Sequence, residues 1–447
     1  MNRRARFTCI LGTITALILT PAVASAVTYP FTDNMENPAL VNWALGSPWG
    51  YTTEAAHGGA GSLTDSPGTT YEDNVNVSAT LATGLDLTAA DMPVLTFWHR
   101  YAFEQDADYG FVDVSGDGGQ NWVTTYFVTG TSLDWQEEKI DLSVYAQRSD
   151  VRVRFRVQTS GSGRYDGWYI DDVSIAETPT PTIAYPLVDD AEGGEVNWLS
   201  SSWGQITSVS HSPTTSWHDS PGCNIPGGYG SYTYLTLAGA MNLTGAQCPQ
   251  LTFWEYSQQS QRIMVDISTN NGHDWTTLTN YWTSPSAWRQ IQLDLAGYTG
   301  SIVRVRFGSY LYYGGNGWWL DDIRIENAPA QVSLGPPVNV TMHGAILSWS
   351  QNSDPDFARY EVHRKQGTGV SFSDVLAATI TDRNTTTFAD TYSVLQPQYW
   401  YYKVYVVDTN GMYSCGSNEV QASYTVPHVS YPFADGMESG TGNWDWG

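Results

Sequence analysis

Lysine is nearly absent from this chain: only Lys139, Lys365 and Lys403 occur in 447 residues. Lys and Arg together number 20 against 45 Asp and Glu, a formal net charge of −25. A surface so acidic repels nucleic acid and anionic membranes. Beyond the N-terminal leader no stretch has the roughly 20 continuous apolar residues that cross a bilayer, so no membrane span is expected in the mature chain. No segment longer than a turn or two places its apolar residues at helical spacing. Enzyme signatures are missing as well. There is no H-E-x-x-H, no G-x-S-x-G, no phosphate-binding glycine loop and no dinucleotide fingerprint. The histidines are scattered, so catalysis within this chain is not expected. A glycosidase-type carboxylate pair is the one enzyme chemistry the sequence leaves open.

What is present begins with a leader. Arg3, Arg4 and Arg6 precede an apolar stretch that ends in Ala24-Ser25-Ala26, the pattern of a cleaved secretory signal. Residues 1–26 are therefore expected to be a signal peptide, and the mature protein to be secreted or at the cell surface. Cleavage takes Lys plus Arg from 20 to 17 and the net charge to 17 − 45 = −28. With 19 Trp, 28 Tyr and 13 Phe, the chain can bury substantial cores, unlike a disordered acidic polymer.

Internal repetition sets the domain plan. YPFTDNME (29–36), YPLVDDAE (185–192) and YPFADGME (431–438) are copies of one opening. Two copies continue in parallel: TDSPG (64–68) with HDSPG (218–222), LTFWHRY (95–101) with LTFWEYS (251–257), VRVRFRV (151–157) with VRVRFGS (303–309), and GWYIDDVSI (167–175) with GWWLDDIRI (317–325). The period is near 156 residues, about the length of one domain. The expected units are 27–177, 183–328 and 333–426. Residues 429–447 are read as the start of a further copy, which makes the sequence look like a fragment. Pro-rich linkers fall between the units.

The repeated segments alternate apolar and polar residues and are rich in Val, Ile, Tyr and Trp, with turn residues between them. That predicts an all-β fold of antiparallel two-sheet sandwiches. The order DSPG, LTFW, VDVSxDxGxxW, IDLS, VRxRF, GWYIDDVxI resembles the jelly-roll module of the MAM and immune-inhibitor-A type. The resemblance covers both repeats and implies tandem jelly rolls. Residues 333–426, with Trp349, ARYEVHRK (358–365) and YYKVYVVD (401–408), resemble an immunoglobulin-like fibronectin type III sandwich.

The doubled aspartates pose the chemical question. In a regular strand neighbours face opposite sides, so Asp171 or Asp172 must turn toward the core or the sheet rim. A carboxylate there needs a hydrogen bond, an ion pair or a metal. Hard oxygen ligands in an acid-rich secreted chain suit Ca²⁺. The resemblance implies a structural Ca²⁺ where first and last strands meet. Asp33, Glu36 and Asp171 or Asp172 would serve the first copy; Asp189, Glu192 and Asp321 or Asp322 the second. Asp65 and Asp219, in the DSPG turns, are weaker candidates. The alternative is that these carboxylates cap backbone N–H groups.

SGDGGQNW (115–122) and STNNGHDW (268–275) are read as structural hairpins rather than acid sites, because Asp117 becomes Asn270 in the second copy. Cys223 and Cys248 have no counterparts in the first copy and are expected to form a disulfide, since the compartment is oxidising; Cys415 is left over. Tyr310, Tyr312, Tyr313 and Trp318 form a candidate aromatic glycan platform. The expected function is a non-catalytic adhesion or binding scaffold with calcium-stabilised modules and an extracellular protein or glycan partner. The alternatives are an accessory region of a larger secreted peptidase or other hydrolase, and a carbohydrate-binding module.

Overall fold

Period-2 burial runs through the strands of both repeats, and it decides the architecture. The computed structural model describes residues 28–177, 182–223, 232–258, 260–310, 317–341, 344–391 and 399–423. Gly167–Glu177 and Trp318–Asn327 bury alternate residues along their outer halves. The expected leader, the start of the further copy, and Tyr312 and Tyr313 lie outside the described residues.

The first module is two antiparallel sheets. One runs in the order Gly50–Thr52, Ser62–Thr64, Gly167–Glu177, Pro93–Ala102, Thr131–Asp141, with Phe31–Asp33 also paired to Gly167–Glu177. The other runs Trp43–Leu45, Asn76–Leu81, Arg152–Gln158, Tyr109–Ser115, Val123–Val128. The second module repeats this arrangement around Trp318–Asn327 and Ile302–Tyr310. Each core is filled by the same aromatic trio from facing sheets. Phe155 meets Trp168 edge-on at 5.6 Å and Phe97 at 5.1 Å. Phe307 meets Trp318 at 6.2 Å and Phe253 at 5.1 Å. Edge-to-face contacts of this kind add to the area burial of the rings.

The third unit sets the sheet Val338–Thr341, Gly344–Ser348, Thr387–Asp390 against the sheet Val375–Ile380, Phe357–Gln366, Trp400–Asp408, Val420–Ala422. Trp349, Tyr360 and Tyr402 are buried in its core.

The three units are joined by specific contacts. Arg304 of the second module is 1 % exposed. Its guanidinium donates to Leu237 O at 3.0 Å and Asn271 O at 2.8 Å within its own module, and to Ser143 Oγ at 3.0 Å and Asp141 Oδ2 at 3.2 Å in the first. Asn271 Nδ2 donates to Asp91 at 2.9 Å across the same boundary. Between second and third units, Gln292 exchanges two hydrogen bonds with the backbone of Tyr413, at 2.8 and 2.9 Å.

A disulfide reinforces that second boundary, and it corrects an expectation. Cys248 bonds Cys415, with their Cα atoms 6.2 Å apart, and Cys223 is free. The expected Cys223–Cys248 bond fails because the long strand Trp318–Asn327 separates the two. His218, shortly before Cys223, pairs with Trp319, whereas Pro249, just after Cys248, pairs with Asn327. Eight strand residues span about 26 Å, far beyond the separation of roughly 7 Å that a disulfide tolerates.

Candidate functional site

The doubled aspartates sit on a β-bulge. Register along Gly167–Glu177 shifts between Asp171 and Ser174, and Asp172 takes a left-handed φ of 47°. Asp322 also has φ 47°. One extra residue in the strand re-aims its neighbours, and Asp is among the few residues that tolerate this region. Strict alternation therefore breaks down at the pair.

The two members then divide the work. Asp171 is fully buried and accepts N–H bonds from His57 at 2.7 Å, Gly58 at 3.2 Å and Asp172 at 2.8 Å. Asp321 does the same for His211 at 2.7 Å, Ser212 at 3.0 Å and Asp322 at 2.8 Å. Burial pushes the Asp321 carboxyl up to about 6, against the N–H bonds that favour its ionised form; Asp171 shifts in the same direction for the same reasons. Asp172 faces outward and meets His57 Nδ1 at 2.7 Å, as Asp322 meets His211 Nδ1 at 2.7 Å. Each imidazole stacks on a tryptophan: His57 on Trp98 at 3.8 Å, His211 on Trp254 at 3.9 Å. A second tryptophan, Trp135 or Trp288, stands edge-on to it. Nothing local in the sequence marks these histidines, because their carboxylate partners lie 115 and 111 residues away.

The other predicted carboxylates are also largely committed. Asp33 accepts from Met35 N, Asn42 Nδ2 and Trp43 Nε1, each at 3.0 Å. Asp189 accepts from Ala191 N at 2.9 Å and Trp198 Nε1 at 2.5 Å. Asp65 accepts Trp168 N at 2.7 Å, and burial raises its carboxyl to about 7. Asp219 is bonded by the hydroxyls of Ser220 and Ser309. Asp65 and Asp219 sit in the DSPG turns, whereas Asp33 and Asp189 end short strands paired with Val173 and Ile323, beside the doubled aspartates. Among the described residues, no three of the ten predicted carboxylates bring an oxygen each within 4.8 Å of one another.

Two carboxylates per module do approach one loop. Glu36 Oε1 accepts Ala60 N at 2.8 Å and Gly61 N at 3.0 Å, which lowers its pKa. A Cβ on Gly59 would lie 2.3 Å from Glu36 Oε1, and one on Gly58 would lie 2.7 Å from Asp172 Oδ2. The two carboxylates thus press on adjacent glycines. In the second module the loop carries hydroxyls instead. Ser212 Oγ donates to Asp322 at 2.9 Å, and Thr214 and Thr215 Oγ1 donate to Glu192 Oε2 at 2.7 and 3.2 Å. Among the described residues of the first module, no loop hydroxyl donates to Glu36, which is held by backbone N–H groups alone.

The aromatic platform is corrected. Trp318 has no exposed surface and packs on Phe253 and Phe307, so it is core. Tyr310 is half-buried at a strand end, beside Arg262. The hairpin reading stands: Asp117 accepts Gln120 N at 3.0 Å and Asn121 N at 2.9 Å, and these bonds hold it at about 2.

The feature with no precursor in the sequence reading is a cleft of about 980 Å³ between the first two modules. Tyr101, Tyr126 and Glu138 line it from one side, and Glu195, Trp198 and Trp203 from the other. His99 lies at its floor, buried and pushed down to about 3, hence neutral. Enclosure raises the Glu138 carboxyl to about 8, and the facing Glu195 pushes the same way.

No family model matches this chain. Bacillopeptidase F of Bacillus subtilis (strain 168) is 39 % identical over 80 residues, which cover 18 % of this chain and 5 % of that protein. Among solved structures, the tandem CBM22-1–CBM22-2 domain of Paenibacillus barcinonensis Xyn10C covers 66 % of this chain and 97 % of its own, with 13 % identity and a TM-score of 0.24. The C-terminal family 22 carbohydrate-binding module of Clostridium thermocellum Xyn10B covers 35 % and 98 %, with 15 % identity and a TM-score of 0.26. TM-scores this low assign no ligand to this chain.

Proposed function

We propose that this chain is a non-catalytic binding scaffold of an extracellular protein, built to hold three β-sandwiches at fixed spacing. One observation carries the reading: both unit boundaries are locked, the first by the buried Arg304 guanidinium and the second by the Cys248–Cys415 bond. Flexible linkage would need neither. A disulfide also agrees with an oxidising compartment. The acids that suggested chemistry are engaged in capping loops and turns. The test is unfolding by calorimetry. Locked units melt together in the oxidised protein, and an Arg304→Ala, Cys415→Ser double variant melts in separate steps; separate steps in the unaltered protein would overturn the reading.

The 80-residue match to Bacillopeptidase F favours one variant of this reading, in which the scaffold is an accessory segment of a larger peptidase. In that case the isolated chain hydrolyses no casein, and a protease signature lies elsewhere in the full reading frame.

Calcium is a further part of the proposal, in the first module. Glu36 and Asp172 would hold it, together with backbone carbonyl oxygens, and the ion would neutralise two carboxylates over one glycine loop. Chelator then lowers the melting temperature, calcium restores it, and Glu36→Gln abolishes the response. Glu192→Gln leaves it intact, since hydroxyls already serve that loop. A melting temperature indifferent to chelator removes calcium from the account.

A further inference from the structure

The boundary between the first two modules has two halves, and a copy of each half stands uncovered elsewhere in the chain. On the first module the contact is an edge strand. Val123–Val128 ends its sheet, and a loop of the second module meets its outer backbone. Phe127 N donates to Ser202 Oγ at 3.0 Å, and Ser201 Oγ donates to Thr125 O. The Arg304–Asp141 bridge belongs to the same boundary. The repeat sets VDVSGDGGQNWVTTYFV (112–128) against VDISTNNGHDWTTLTNY (265–281), so Thr125 and Phe127 correspond to Leu278 and Asn280. Both strands carry the same register shift, after Val112 and after Val265. Their outward backbone groups therefore correspond as well.

In the second module this edge is open. Thr276–Thr283 ends its sheet, and the third unit docks on the other sheet, through Gln292. Phe127 is 3 % exposed beneath the second module, whereas Asn280 is exposed and Trp282 is 55 % exposed. The strand TTLTNYWT has no charged residue and no proline, two of the usual guards of a free edge. Asp294 stands where Asp141 does, in LDLAGYT (293–299) against IDLSVYA (140–146). Asp141 Oδ1 accepts Ser143 N at 2.9 Å and its Oδ2 takes Arg304. Asp294 Oδ1 accepts Ala296 N at 2.8 Å, and its Oδ2 has no partner among the described residues. The complementary half is open on the first module. WALGSPWG (43–50) matches WLSSSWG (198–204). Leu199 and Ser201 are each 7 % exposed, whereas Leu45 is 38 % exposed and Ser47 is exposed. Arg152, the counterpart of Arg304, is 30 % exposed on its side chain.

We propose that the chain binds a second copy of itself head to tail, the 44–48 loop of one copy's first module docking on the Thr276–Thr283 edge of the next copy's second module. The internal boundary is the template for the contact. Ser47 Oγ meets the outer backbone of Leu278 and Asn280, as Ser201 and Ser202 meet Thr125 and Phe127. Arg152 leaves Asp150 and pairs with Asp294, as Arg304 pairs with Asp141. The two surfaces differ, so the contact is heterologous, and each added copy offers a fresh edge to the next. The inference rests on the scaffold reading, because both surfaces must be held on one rigid body.

The test is sedimentation of the whole chain at rising concentration, in about 0.15 M salt to screen repulsion between like-charged copies. The series runs to about 1 mM, the effective concentration that a short linker gives such a contact within one chain. Ser47→Glu blocks the loop and Asn280→Glu guards the edge; both positions are exposed. The average mass of the unaltered protein is expected to climb with concentration past that of a dimer. Each variant alone stays monomeric. An equimolar mixture of the two forms a dimer and stops there, because one free loop and one free edge remain. Arg152→Ala weakens association by at least about tenfold. Three results would overturn the proposal: the unaltered protein stays monomeric throughout, it stops at a dimer, or the two variants associate alone as well as mixed. Calorimetry keeps the two readings apart. Melting in separate steps would report undocked modules and a failure of the scaffold reading, whereas one cooperative transition in a monomer would sink the head-to-tail contact alone.

Discussion

Asp171 and Asp172 are neighbours with different costs of removal. Asp171 is buried and receives three N–H bonds that anchor the 57–58 loop to the last strand. Asp171→Ala orphans those donors and is expected to destabilise the protein by about 3 kcal/mol. Asp172 is 32 % exposed on its side chain, and its ion-pair partner His57 is 30 % exposed. With chelator present, Asp172→Ala is expected to cost under about 1 kcal/mol. Denaturant titration separates the two, and equal costs would contradict this division of roles. The sequence showed that one aspartate had to turn inward or to the rim. It did not show which one, because the bulge that re-aims the pair depends on pairing with Pro93–Ala102, some 70 residues away. His57 and His211 escaped notice for the same reason: their partners are distant in sequence.

At the scale of elements, strands and repeats were legible and contacts between units were not. Alternation and the paired GWYIDDVSI and GWWLDDIRI segments give the sheets directly, because the strand period is a property of the local chain. Trp318 illustrates the limit. Its GWW context reads as an exposed aromatic cluster, but the strand's inward phase puts it against Phe253 and Phe307. The cysteines illustrate another. Pairing by co-occurrence within one module ignored where each strand ends. Peptide mapping without reduction is expected to find the Cys248–Cys415 cross-link and an unmodified Cys223. Cys248→Ser opens a loop of 167 residues and lowers stability by up to about 5 kcal/mol in the chain-entropy model. Cys223→Ser has little effect. A recovered Cys223–Cys248 peptide would reverse the assignment.

For the whole molecule, acidity and fold are linked through buried carboxyls. Glu138 at about 8, Asp65 at about 7 and Asp321 at about 6 all lie above their ordinary values. A carboxyl raised in the folded state binds its proton more tightly there than when unfolded. Its stabilisation is complete below the unfolded value, near 4, and is lost as pH rises through 6 to 8. Asp113 runs the other way. Burial opposes its charge, but Arg156 and Arg154 hold its pKa down, so that contribution is lost only in stronger acid. The melting temperature is therefore expected to peak in mild acid, near pH 5, and to fall toward pH 9. Glu138→Gln should flatten that fall while changing little at pH 4. A profile that rises between pH 5 and 9 would refute the assignment.

The central claim is that the three sandwiches form one body. Small-angle X-ray scattering of the oxidised protein addresses it most directly. The account predicts a curve fitted by a single conformation over the described residues, and a broader distribution for the Arg304→Ala, Cys415→Ser variant. A curve for the unaltered protein that only an ensemble of independently oriented sandwiches can fit would contradict it.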